Sequence, residues 1–182
     1  MSSFATISYV GDGHVATVTM ARPEAANALN SEMIDELDAA LTLAEDDPEV
    51  RVILLAAEGR HFSAGHDLKE IMAGETEWAA LRASGPEGKL RHEQVMYWDR
   101  SLRWRDTSKP TIAAVQGTCA AAGLMLACMC DLIVAADDAR FTVYVVIHGP
   151  QGDAGGGSTA GPVFSRIMGY VLGRYGVEPT NG

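Results

Sequence analysis

The chain has 182 residues, 47% of them hydrophobic and 21% charged, with a formal net charge of −10. That length and apolar fraction suffice for one domain with a core of its own. The acidic balance, with no concentrated basic stretch, excludes nucleic acid as a partner, and no apolar run reaches the roughly 20 residues that a membrane helix needs.

The first residues, "MSSFATISYVGDGH", show no basic region followed by an apolar stretch, so no leader peptide is expected. "FATISYV" and "HVATVTM" read as two strands around a turn at Gly11-Asp12-Gly13. A helix follows from Asn30 or Ser31, either of which can cap it, with Met33, Ile34, Leu37, Leu41 and Ala44 at helical spacing. Asp47-Pro48 ends it, and "RVILLAAEG" is the continuous apolar run of a strand buried on both faces.

"RHFSAGHDLKEI" is a loop entering a short helix. Residues 73–88 carry Gly74, Gly85, Pro86 and Gly88 among polar residues and read as a surface excursion. Ser84 and Glu87 have capping-box spacing, with Pro86 in the first turn. A long helix then runs through "KLRHEQVMYWDRSLRWRD". "KPTIAAVQG" is a further buried strand, "QGTCAAAGLMLACMCD" a turn plus a helix-like run from Leu124, and "DLIVAADDARFTVYVV" one or two strands. Strands alternating with helices after an opening hairpin predict an α/β chain with a mixed, mostly parallel sheet flanked by helices.

Cys119, Cys128 and Cys130 lie in one apolar region without CxxC spacing. An odd count inside a core suits a reducing compartment, and a cytoplasmic location is expected. His61 and His66 have no acid or Cys partner at ligand spacing, so no metal site is expected. Beyond residue 148 the composition changes: ten of the nineteen glycines fall in residues 149–182, with four charged residues. The expected organisation is a core over residues 1–148, then a Gly-rich segment and a possible helix over 149–182. "GDAGGGST" lacks the Lys of a phosphate loop and follows no clear strand.

Three strings occur in a telling order: "ARPEAANALN", "HFSAGHDLKE" and "KPTIAAVQGTCAAAGLMLACMCDLIVAADDARF". Together they resemble the crotonase, or enoyl-CoA hydratase/isomerase, superfamily over roughly residues 5–141. The resemblance implies a crotonase-like fold, a spiral of ββα repeats. It also implies an acyl-CoA thioester as partner, with coenzyme A as part of the substrate and no separate cofactor, and a role in lipid and fatty-acid metabolism. Such thioesters react through an enolate, whose oxygen is stabilised by two preorganised backbone N–H groups. The resemblance places these at His66 and Ala122. Ala120, Ala121, Ala122 and Gly123 are then small so that the thioester can lie against the backbone.

By the same resemblance, Lys69 and Arg22 stand on the phosphate side of the nucleotide. Ala28 and Leu29 line the groove, and the backbone from His66 through Asp67 and Leu68 to Lys69 runs along the adenine and pantetheine, with Ala64 and Gly123 beside it. Asp67 is expected to hold the loop by accepting backbone N–H bonds rather than to act as a catalyst.

Hydratases of the family use two glutamates to activate water. Here the matching positions are Met125 and the neighbourhood of Val145, neither able to carry a proton. Glu70, Glu75, Glu77, Glu93 and Asp99 lie in or near segments that border the acyl pocket in relatives. Any of them could supply a base, each being otherwise a solvated helix-face charge; His148 is the one histidine near Val145. The resemblance thus implies a hydratase-like lyase or an isomerase, assembling as a homo-oligomer, trimer or hexamer. The alternative is a non-catalytic or degenerate CoA-thioester binder lacking both glutamates. Family-like text fades after Phe141, so a truncation or a frame change near residue 142, with most of the C-terminal helical region missing, is a further expectation.

Overall fold

Two strands open the chain, the second alternating buried and more exposed residues. In the computed structural model, which describes residues 4–73, 84–142, 165–166 and 169–170, they are β1 (Ile7–Asp12) and β2 (Val15–Met20). They pair antiparallel from Ile7↔Met20 to Asp12↔Val15. The turn is therefore Gly13-His14, not Gly11-Asp12-Gly13. Gly11 and Asp12 complete the ladder, and Gly13 alone takes a positive φ, +55°.

β2 then runs parallel to β3 (Val52–Ala57), β3 to β4 (Thr111–Val115), and β4 to β6 (Leu132–Ala135). The sheet order is β1-β2-β3-β4-β6, the expected mixed and mostly parallel sheet. Parallel neighbours require crossovers, and helices supply them. The first is α1 (Ser31–Asp46), capped by Asn30, whose Oδ1 accepts the Met33 N–H at 3.0 Å. Its buried stripe is Met33, Ile34, Leu37, Ala40, Leu41 and Ala44, one residue more than the periodicity picked out.

The second crossover holds α2 (Leu68–Ala73) and a long rod made of α3 (Gly85–Glu93), a π-helical turn (Gln94–Trp98) and α4 (Asp99–Arg105). Ser84 precedes α3 with Pro86 in the first turn, but its side chain makes no capping bond. At φ −81°, ψ 1° its backbone is not extended, as a side-chain cap requires. The far end of the rod is fastened to α1. Arg100 pairs with Asp35 at 2.6 Å, Arg103 pairs with Asp38, and the buried Trp104 donates its indole N–H to Asp38 at 2.9 Å.

The third crossover corrects the expectation of turn plus helix. Thr118–Ala120 forms a short strand, β5, paired with β7 (Arg140–Thr142), and the helix α5 begins at Ala122, not Leu124, running to Met129. α5 is apolar nearly all round, and Ala122, Gly123, Leu124, Leu126 and Ala127 are buried.

The chain divides into two compact units, Met1–Phe141 and Thr142–Gly182. Residues 165–166 and 169–170 of the second are helical and exposed. The expected strand after Thr142, Val145, His148, Glu75, Glu77 and the Gly-rich segment lie outside the described residues. Among the described residues, no helix is long and apolar enough to cross a membrane, and no group of three or more His, Cys, Asp or Glu side chains is placed to hold a metal.

Candidate functional site

The site grows from two loops that leave neighbouring parallel strands at the same end. Residues 62–67 follow β3, and residues 116–122 follow β4. They run side by side. Phe62 N–H donates to Gln116 O at 2.8 Å, Ser63 N–H to Thr118 O at 3.1 Å, and Ala120 N–H to Ser63 O at 3.0 Å. Glycines let the pair close up. A Cβ on Gly65, whose φ is +95°, would lie 2.9 Å from Ala120 O and 3.3 Å from Ala122 N. On Gly123 it would lie 2.5 Å from Ser63 Cβ. Gly123 is thus small because Ser63 occupies the space.

The first loop is held from its other side by residues 26–29. Leu29 N–H donates to Gly65 O at 2.7 Å and Asp67 N–H to Leu29 O at 3.0 Å, the pattern of a parallel bridge between Leu29 and His66. In such a bridge His66 directs its own N–H away from residue 29. Ala122 is the first residue of α5, where an N–H has no partner within the helix. Among the described residues, the hydrogen bonds that fasten the two loops leave out the N–H groups of both His66 and Ala122. Two such donors, fixed in advance, can stabilise an oxygen that carries negative charge. Ala121 sets the direction of the second at φ 48°, ψ −118°, a conformation that strains any residue with a Cβ.

Asn27 is the residue that sequence reasoning missed. It is fully buried at φ +51°; its amide donates to Glu58 O and His61 O, both at 2.8 Å, and its Oδ1 accepts the Arg22 N–H at 2.9 Å. Its carbonyl accepts the Ser63 hydroxyl at 2.8 Å, and the same hydroxyl accepts the Gly65 N–H at 3.1 Å. One signal was present: Asn tolerates the left-handed region better than other residues with a side chain.

Arg22 donates to Ala28 O at 2.7 Å and pairs with Asp67 at 2.9 Å, so its guanidinium ties the first loop to residue 28. Asp67 also accepts the Lys69 N–H at 3.0 Å and heads α2. Burial alone would raise its carboxyl, but the Arg22 hydrogen bond, the Glu70 and Lys69 N–H groups and the Arg22 charge outweigh it and hold it below its ordinary value. Ala28 and Leu29 are buried, while Ala64, Leu68 and Lys69 are exposed.

Between the rod and α5 lies a cavity of about 600 Å3. Leu90, Trp98, Leu102, Met125 and Met129 supply apolar wall; Glu93, Gln94, Tyr97, Ser101 and Arg105 supply polar groups. Met125 is one helical turn beyond Ala122, so one lining residue of this cavity stands a single turn from the second N–H. Tyr97 joins it to the first: its ring meets the His66 imidazole edge-on, centroids 4.6 Å apart. Burial pushes the His66 imidazole below its ordinary value, against the charge of Glu93. Burial, then Glu93 and Glu70, push the Tyr97 hydroxyl up to about 12, leaving it a proton donor at neutral pH. Nothing local in the sequence marks Tyr97. Burial also raises Cys119 and Cys130 to about 12, which makes them poor nucleophiles.

A family model described as Enoyl-CoA hydratase/isomerase matches residues 11–161. The crystal structure of a probable enoyl-CoA hydratase from Mycobacterium smegmatis is 50% identical, with a TM-score of 0.67 over 76% of this chain and 52% of that one. That of a probable enoyl-CoA hydratase from Mycobacterium thermoresistibile is 49% identical, with a TM-score of 0.63 over 75% and 52%. EchA13 of Mycobacterium tuberculosis, whose name assigns it as an enoyl-CoA hydratase, is 43% identical over 143 residues, 72% of this chain and 45% of that protein. The chain spans about half the length of the relatives it matches.

Proposed function

The chain belongs to the enoyl-CoA hydratase/isomerase family, and on that premise we propose that it binds an acyl-CoA thioester and polarises the thioester carbonyl through the N–H groups of His66 and Ala122. The observation that carries this reading is the pair of interlocked loops, which bring two N–H groups together and leave both out of the bonding that fastens them. The thioester oxygen sits between them, the acyl chain enters the cavity beside Met125, and the nucleotide leaves past Lys69. Each donor of this kind typically contributes a few kcal/mol to the transition state. The reaction class is enolate chemistry on the acyl group, as lyase or isomerase, within fatty-acid metabolism. Homo-oligomeric assembly, as trimer or hexamer, and a cytoplasmic location belong to the same proposal.

The test combines two measurements on one sample. Crotonyl-CoA is added while the absorbance of its conjugated thioester is followed, and its binding is titrated calorimetrically in parallel. Binding with loss of absorbance is the expected result. Binding alone would keep the site and remove the reaction, and absence of binding would remove the reading altogether.

A further inference from the structure

The two N–H groups account for the carbonyl, but enolate chemistry also needs a group that takes and returns a proton. Met125 cannot do this. Resting on the acyl-CoA reading above, we propose that Glu93 is the proton-transfer residue of this site. Among the described residues lining the cavity, Glu93 is the one carboxylate, and it shares that cavity with Met125.

Glu93 is the last residue of α3, and the π-helical turn Gln94–Trp98 starts directly after it. In an unbroken α-helix two successive steps of four residues drift in one direction round the axis. A wider π-turn takes back that drift over one step, and such turns recur at functional sites. The result here is that Glu93, Tyr97 and Ser101, each four residues apart, all line the same cavity. Tyr97 touches the His66 ring, and Ser101 lies 3.6 Å from the Met125 sulfur. The polar face of the rod thus extends from the loop carrying the first N–H to the side chain one turn beyond the second. Glu93 is also near enough to act by charge on both His66 and Tyr97.

The step is a simple exchange. The C–H bond next to the thioester carbonyl breaks and its proton goes to a Glu93 oxygen. The electron pair forms the C=C bond of the enolate, and the negative charge goes to the oxygen held by the two N–H groups. Reversal returns a proton to carbon. Because Glu93 is exposed, its proton exchanges with water between the two halves of the cycle.

The experiment follows that exchange. The protein is incubated with butanoyl-CoA in D2O, deuterium at the α-carbon is read by mass spectrometry, and binding is measured separately by calorimetry. The wild type is expected to incorporate deuterium. Glu93→Gln should slow incorporation by at least about 100-fold while binding is kept, and Glu93→Asp should restore part of it. Equal incorporation by wild type and Glu93→Gln would overturn the assignment, as would binding by the wild type with no incorporation. If the wild type does not bind butanoyl-CoA, the acyl-CoA reading itself fails.

Discussion

The two walls of the candidate site, the interlocked loops and the helical rod, are built in opposite ways. The loop wall is over-determined: Gly65 and Gly123 have no room for a Cβ, the Ser63 hydroxyl is bonded on both sides, and the buried Asn27 bridges Arg22, Glu58 and His61. The helical wall is fastened to α1 through Arg100, Arg103 and Trp104, while toward its start Leu90, Val95 and Trp98 are 71%, 51% and 64% exposed. On the proposed reading, rigidity is thus concentrated where two N–H groups must be aimed before any charge develops, since donors that reorganise during a reaction stabilise less. The wall proposed to receive an acyl group has no such requirement, and its composition is freer to change.

The contrast would break most visibly at Gly65. Gly65→Ala adds a Cβ at a positive φ and 2.9 Å from the Ala120 carbonyl, so it should destabilise by about 3 kcal/mol; chemical denaturation measures this, and a near-neutral result would mean the loops are not locked. Asn27→Ala should come next, at about 2 kcal/mol, because two part-buried carbonyls lose their donor. In the other direction, Ala121→Gly should stabilise by about 1 kcal/mol by removing strain at φ 48°, seen as a higher Tm.

Acid should act on the loop wall more gently. The folded state holds the Asp67 carboxyl below its ordinary value, so its contribution is complete above about pH 3.9 and is lost as pH falls through the folded value. His66, also lowered, has the same sign in a higher window: its contribution is complete above about pH 6.5 and declines below that. Thermal melts from pH 8 to pH 3 should show both losses, and Asp67→Asn should remove the lower one. The smallest effect is expected on the helical wall. Trp98→Ala should change stability by less than about 0.5 kcal/mol while weakening acyl-CoA binding, since its side chain lines the cavity and is mostly exposed. A large loss of stability there would erase the difference between the walls.

Much of this was legible in the residues alone. The strands and α1 announce themselves through local apolar periodicity, and Asn30 stands where a cap belongs. "FSAGHDLKE" and "CAAAG" could be picked out as strings because close backbone packing demands small residues at fixed positions. Through the family resemblance those strings point to His66 and Ala122, and to Met125 at a position where the family's hydratases carry an acid.

Other features depend on partners far away in the chain, and no local pattern encodes them. β5 is a strand because Arg140–Thr142 pairs with it, while its own sequence reads equally well as the start of a helix. Ser84 has the right neighbours for a capping box but the wrong backbone angles. Gly123 looked like a cleared path for a ligand, whereas the space it leaves is filled by Ser63, sixty residues earlier. The sequence by itself determined the order of elements, the mixed sheet and the two small-residue loops, because periodicity and steric bulk are properties of neighbours along the chain. Only the tertiary structure decided which N–H groups stay unused, that Asn27 holds the loops, and that Glu93 and Tyr97 share a cavity with Met125, because each of these is a distance between segments that the chain brings together only on folding.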